Sequence, residues 1–124
     1  MAEMKTLLIV EDDAIAREGL GFVLRRVGYE TILAANGAEA LAYLESGIRP
    51  DLVLLDTLMP VLDGWQFLAK LKGLPLPPVP ILVMSSVSLS QEWAKDHGCC
   101  TFLKKPIEPT ALIEEVRRCL EECR

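Results

Sequence analysis

Four short apolar stretches of this chain end in residues that can do chemistry. Glu11, Asp12 and Asp13 follow the first, Asp56 the second, Ser85 and Ser86 the third, and Lys104, Lys105 and Pro106 the fourth. Brought to one place, these ends would set the carboxylates of Glu11, Asp12 and Asp56 beside a hydroxyl and an ammonium group. Carboxylates that close repel strongly unless positive charge intervenes. The donors are all oxygens, so the matching cation is hard. Mg²⁺ fits, held by one or two carboxylates, a backbone carbonyl and waters. Such a site suits phosphoryl transfer, with the metal and Lys105 neutralising phosphoryl oxygens and a carboxylate as nucleophile. No Cys–His or Ser–His pair competes, since the single histidine is His97. Taken one at a time, the same residues have plain roles: Asp13 as a helix cap, Asp56 as a turn residue, Lys105–Pro106 as a loop.

The segments between must do the positioning. The apolar runs are Thr6–Val10, Thr31–Ala34, Leu52–Leu55, Ile81–Met84 and Thr101–Leu103. They do not alternate with polar residues, which predicts strands buried on both faces of a parallel sheet. Between them the period turns helical. Ala16, Leu20, Val23, Leu24 and Val27 form one stripe, with Arg17, Glu18, Arg25 and Arg26 off it and Gly28 as the stop. Asn36 is placed to cap a helix from Gly37 to about Ser46. A third helix is expected from Gly64 to about Gly73, then a stiff loop with four prolines over Gly73–Pro80. Ser88–His97 reads as a short, weakly patterned helix. The last helix opens at Pro109. It is expected to bury Leu112, Ile113, Val116 and Leu120 and to leave Glu114, Glu115, Arg117 and Arg118 wet. Strand and helix thus alternate five times, which predicts an α/β, doubly wound, five-stranded parallel sheet. Ligands of such sheets bind at the carboxyl ends of the strands, where the topology switches direction. Those ends are where the chemical residues stand.

Composition narrows the function further. The chain has 124 residues, 51% of them apolar, and a formal charge of −5. That length predicts one domain over residues 1–124, with a core that needs no metal or disulfide staple. The acidic balance argues against nucleic acid as a direct partner. No apolar run approaches the ~20 residues of a membrane span, and the N-terminal run is too short for a secretory signal. Cys99 and Cys100 are adjacent, Cys119 and Cys123 are one helical turn apart, and no C-x-x-C spacing is present. Cysteines one turn apart on a helix are poorly placed for a disulfide. Four free thiols in a reducing cytosol are expected, hence a cytoplasmic protein.

In order and spacing, Leu-Leu-Ile-Val-Glu-Asp-Asp at 7–13, Asp-Leu-Val-Leu-Leu-Asp-Thr-Leu-Met-Pro-Val-Leu-Asp-Gly at 51–64, Pro-Ile-Leu-Val-Met-Ser-Ser at 80–86 and Phe-Leu-Lys-Lys-Pro at 102–106 form one set. With these motifs the chain resembles a response-regulator receiver domain of two-component signalling, of the chemotaxis-receiver type, over essentially its whole length. The resemblance implies a flavodoxin-like sheet of order 2-1-3-4-5. It implies that Asp56 accepts a phosphoryl group from a histidine kinase or histidine phosphotransfer protein. Glu11 and Asp12 would form an acidic pocket. Mg²⁺ would be bound by Asp12, Asp56 and the Leu58 carbonyl, with Glu11 acting through water. Ser85 would be the switch hydroxyl, Phe102 the switch aromatic, and Lys105 the partner of the phosphoryl group, next to a cis Lys105–Pro106 bond. Output would pass through the fourth helix, fifth strand and fifth helix to an unknown downstream protein, with catalysis limited to the domain's own phosphorylation and dephosphorylation.

Three other readings compete. An FMN binder of the same sheet order would want a phosphate-welcoming loop where Glu11–Asp13 stands. An Asp-nucleophile, Mg²⁺-dependent phosphatase would want a second Asp where Leu58 stands. Within the family, the chain is expected to be a stand-alone regulator, the alternative being a receiver excised from a hybrid histidine kinase or a DNA-binding response regulator.

Leu58 and Val87 generate a kinetic expectation. Hydrolysis of an aspartyl phosphate needs a water in line behind the phosphorus, held by a side chain. The residues best placed to hold it lie two past Asp56 and two past Ser85, and here both are apolar. Self-dephosphorylation is therefore expected to be slow. Introducing Leu58→Asn with Val87→Glu is expected to speed phosphate loss several-fold at fixed Mg²⁺. An unchanged rate, or a parent half-life of seconds, contradicts the argument.

Overall fold

The computed structural model describes residues 4–56, 64–76, 78–86, 92, 96 and 99–122. Its strands are β1 (Thr6–Val10), β2 (Glu30–Ala34), β3 (Leu52–Asp56), β4 (Ile81–Ser85) and β5 (Thr101–Lys104). They form one parallel sheet in the order β2-β1-β3-β4-β5, as the α/β, doubly wound, flavodoxin-like reading requires. Its helices are α1 (Ala14–Arg26), α2 (Gly37–Glu45), α3 (Gly64–Lys72) and α4 (Pro109–Glu122), the last being the fifth helix of the sequence pattern. The short helix expected over Ser88–His97 lies outside the described residues except for Glu92 and Asp96, both helical.

Strand side chains alternate faces, so each central strand feeds two core layers. Leu8, Val10, Val53, Leu55 and Val83 pack with Ala40 and Leu44 of α2 and Phe67 and Leu68 of α3. Leu7, Ile9, Leu52, Leu54, Leu82 and Met84 pack with Leu24 of α1 and Leu112, Val116, Cys119 and Leu120 of α4. The Pro-rich loop is tied to the first layer through Leu76 and Val79.

Helix ends follow their sequence signals. The Asp13 side chain accepts the Ile15 N–H at 3.0 Å and caps α1. Asn36 Oδ1 accepts the Glu39 N–H at 2.8 Å and caps α2, while Glu39 Oε1 reaches back one residue past the cap to accept the Ala35 N–H at 3.0 Å. At the end of α1, Gly28 N–H donates to the Arg25 carbonyl and Tyr29 N–H to the Leu24 carbonyl, with Gly28 at φ 104°. That is a Schellman stop, which a Cβ would strain.

Four expectations need correction. Burial on both faces holds for β3 and β4 and nearly so for β1, but β2 and β5 are half-open because each is a sheet edge. Val27 is 46% exposed, since it caps α1 rather than continuing its stripe. On α4, Ile113 is only half-buried and Cys119 takes the fully buried position. Four free thiols are not found: Cys99 and Cys119 are buried thiols outside any disulfide, but Cys100 is disulfide-bonded. Spacing along the chain reports only on cysteines close in sequence, whereas Cys100 packs against the layer built by Val116, Cys119 and Leu120 of α4. Cysteine usage therefore no longer argues for a reducing compartment. Among the described residues no helix is long and apolar enough to cross a membrane.

Two glycines separate backbone conformation from packing. A Cβ added at Gly19 or at Gly28 meets nothing within 4 Å. Gly19 lies inside α1, so Gly19→Ala is expected to stabilise by about 0.5–1 kcal/mol. Gly28 sits at positive φ, so Gly28→Ala is expected to destabilise by about 1–2 kcal/mol. Paired urea titrations check this, and equal signs would contradict the assignment of α1 and its stop.

Candidate functional site at the carboxyl ends of the strands

Register and alternation bring the chemical residues together. Val10 pairs with Leu55, so the next step of the ladder sets Glu11 beside Asp56. Leu7, Ile9 and Glu11 share one parity, as do Leu52, Leu54 and Asp56, so both carboxylates lie on the α1/α4 side of the sheet. The flanking strands hold this rim. Glu11 N–H donates to the Ala34 carbonyl at 3.0 Å, and Lys105 N–H donates to the Ser85 carbonyl at 2.7 Å. Glu11, Asp56 and Ser85 are all buried, at 1%, 4% and 2% exposure.

Lys105 spans the two buried carboxylates. Its Nζ is 2.9 Å from Glu11 Oε1 and 3.2 Å from Asp56 Oδ1. The other Glu11 oxygen, Oε2, accepts the Asp13 N–H at 3.2 Å. Carboxylate oxygens of Glu11, Asp12 and Asp56 lie within 4.8 Å of one another, with Asp12 exposed. The Lys105–Pro106 bond is cis, as the resemblance implies.

Burial raises the Glu11 carboxyl to about 7, against the lowering effects of Lys105 and the Asp13 N–H; the neighbouring Asp56 adds to the rise. For Lys105 burial alone would lower the pKa, but the Glu11 hydrogen bond and the charges of Glu11 and Asp56 outweigh it and raise it. The protonated ammonium is thereby held in place.

The structure thus gathers Glu11, Asp12, Asp56 and Lys105, and sets Ser85 at the end of the adjoining strand. Phe102 stands elsewhere, half-buried against the layer that contains Val83 and Cys99. Leu58 lies outside the described residues, so its carbonyl is not placed. Val87 lies outside them too. One contributor was not singled out in the sequence: Arg17 Nη1 donates to the carbonyls of Glu11 at 2.9 Å and Asp12 at 3.4 Å. Its position off the apolar stripe signalled only a solvated residue. The donor set fits a hard cation: three carboxylates converge, two of them buried, with a single ammonium between those two. A neighbouring cavity of about 430 Å³ runs from Glu11 and Lys105 between α1 and α4, walled mainly by Leu20, Val23, Ile107 and Leu112.

Comparison with known proteins agrees with this geometry. The profile of the response regulator receiver domain matches residues 7–117. Response regulator Rre1 of Synechocystis sp. is 36% identical over 124 residues, covering 97% of this chain but 53% of that protein. The chain thus spans about half the length of the curated relatives it matches. The crystal structure of a putative response regulator from Chloroflexus aurantiacus is 35% identical with a TM-score of 0.86, covering 97% of this chain and all (100%) of that one. The receiver domain of a sensor histidine kinase from Pseudomonas aeruginosa PAO1, with a magnesium ion coordinated in its active-site cleft, is 26% identical with a TM-score of 0.84, over 97% and 100% of the two chains. Five parallel strands in this order, a rim of carboxylates with one lysine, and these matches make the chain a member of the response regulator receiver family of two-component signalling.

Proposed function

We propose that Asp56 is the phosphoacceptor of this receiver. The observation that carries the reading is the bridge of Lys105 between the buried Glu11 and Asp56, with Asp12 close beside them. An Asp56 oxygen attacks the phosphorus of a phosphohistidine on a histidine kinase or phosphotransfer protein. The new O–P bond forms as the N–P bond breaks, and the electron pair returns to the imidazole nitrogen, which is then free to take a proton. Lys105 sits where it can move from carboxylate to phosphoryl oxygen, and Ser85 offers a hydroxyl at the next strand end. Asp12 and Asp56, with the Leu58 carbonyl and Glu11 through water, would hold Mg²⁺. When bound, that ion supplies positive charge to the phosphoryl oxygens. Output is read at β5 and α4, where Phe102 lies half-buried on a half-open edge strand, together with the fourth helix of the sequence pattern, which lies largely outside the described residues. The downstream protein is of unknown identity, and catalysis extends only to the domain's own phosphorylation and dephosphorylation. A single receiver domain over residues 1–124, working alone in the cytoplasm, is the simplest form of this reading. A receiver within a longer regulator or hybrid kinase is favoured by one observation, the twofold length of the relatives. The mass of the native protein on a blot separates the two.

Incubation with a phosphodonor is expected to give an acid-labile, hydroxylamine-sensitive phosphate on the parent chain and none on Asp56→Asn. Equal labelling of the variant refutes the assignment.

The site also sets a pH dependence. Glu11 is raised from 4.5 to about 7 by burial. Its contribution to stability is therefore fully present below about 4.5 and is lost as pH rises through about 7. In EDTA, stability is expected to fall across that interval by up to about 3 kcal/mol, and Glu11→Gln is expected to flatten this part of the curve. Adding Mg²⁺ at neutral pH is expected to restore stability by mass action. A curve unchanged by Glu11→Gln contradicts the account.

A further inference from the structure

Arg17 belongs to the outer part of α1, yet its side chain turns back onto the end of β1. One nitrogen, Nη1, donates to the carbonyls of both Glu11 and Asp12. The Asp12 carbonyl belongs to the Asp12–Asp13 peptide, whose N–H is the donor to Glu11 Oε2. In a trans peptide these two groups point opposite ways. A single planar unit is therefore held at its oxygen by a guanidinium and at its nitrogen by a carboxylate. The guanidinium polarises the unit and strengthens the N–H as a donor. Beyond Glu11 the contacts continue through Oε1 to Lys105 and from Lys105 to Asp56.

We propose that Arg17 is a positioning residue of the site: through the Asp12–Asp13 peptide it orients the Glu11 carboxylate, and with it Lys105 and the oxygens that face the cation. This rests on the receiver reading only where phosphorylation is concerned. The orientation itself is a property of the acidic loop.

The sign of the effect on metal separates positioning from charge. By Coulomb's law alone, removing a cation beside three carboxylates tightens Mg²⁺ binding. Loss of an orienting partner weakens it, by roughly tenfold where such partners have been removed from other metal sites. The test uses the whole chain with Arg17→Met, which keeps the length of the side chain without its donors, and Arg17→Lys. Three quantities are read: the Mg²⁺ dissociation constant by calorimetry, hydrogen exchange of the Asp13 amide, and the rate of labelling of Asp56 by acetyl phosphate. Arg17→Met is expected to weaken Mg²⁺ roughly tenfold, to speed Asp13 exchange and to slow labelling. Arg17→Lys is expected to recover most of each, because one nitrogen serves both carbonyls. Tighter or unchanged Mg²⁺ binding in Arg17→Met overturns the proposal, as does a lower melting temperature with Mg²⁺ affinity and Asp13 exchange unaltered. If the parent takes no label at all, the phosphoacceptor reading falls, while the metal and exchange measurements still decide for or against Arg17.

Discussion

Two carboxylates buried side by side need a cation, and Lys105 is the one the described residues supply. Oxygens within 4.8 Å of one another repel by about 3 kcal/mol or more per ionised pair at an effective dielectric constant of 20. One ammonium between Glu11 and Asp56 offsets part of that. Asp12 adds a third negative charge at the exposed edge. The cluster therefore stays short of positive charge, and burial relieves it by holding a proton on Glu11 up to about 7. A divalent ion would meet the same deficit from outside. In this sense the site is an electrostatic stress that the fold tolerates because the sheet beneath it is so well packed.

The packing does more than tolerate it. Leu7, Ile9, Leu52 and Leu54 are completely buried, so a one-residue slip of β1 or β3 would turn each apolar set to the wrong layer. The same register sets Glu11 against Asp56. Placement of the carboxylates is thus enforced by hydrophobic burial several residues away, and the carboxylates themselves need not stabilise it. The backbone bonds of Glu11 to Ala34 and Lys105 to Ser85 extend the ladder one residue past the strands. The chemical groups therefore sit on the last rigid step before the loops begin.

This division explains what could be read from the residues alone. Continuous apolar runs such as Leu-Val-Leu-Leu report burial on both faces directly, and the carboxylate after each run inherits its position. Asp13 and Asn36 announced their helices because a cap is a local interaction. Except for Val27, whose capping place is local, the readings that failed depended on contacts distant in sequence. Whether Thr31–Ala34 lies at a sheet edge is a matter of strand order, not of its own composition. Cys100 meets the α4 layer only after the chain has crossed the sheet. Arg17 was legible only as a polar residue off a stripe, because its acceptors are backbone carbonyls, which leave no trace in the side-chain sequence.

Exposure then sets the direction from which the rim is reached. Glu11 and Asp56 are buried at the ends of their strands, while Asp12 is open to solvent and the Lys105 side chain is 30% exposed. A cation can therefore exchange past Asp12 without any strand moving. In the proposed transfer the phosphoryl group comes from above the strand ends, because the core layers leave no route through the sheet. Its arrival adds negative charge to a cluster that already carries an excess. The transfer proposed here is favourable only if positive charge already stands at the rim when the donor docks. Lys105, pinned between two carboxylates, provides part of that charge in advance. Pinning has a second effect: the ammonium is aimed before the phosphoryl group arrives, so less orientation remains to be fixed during the reaction.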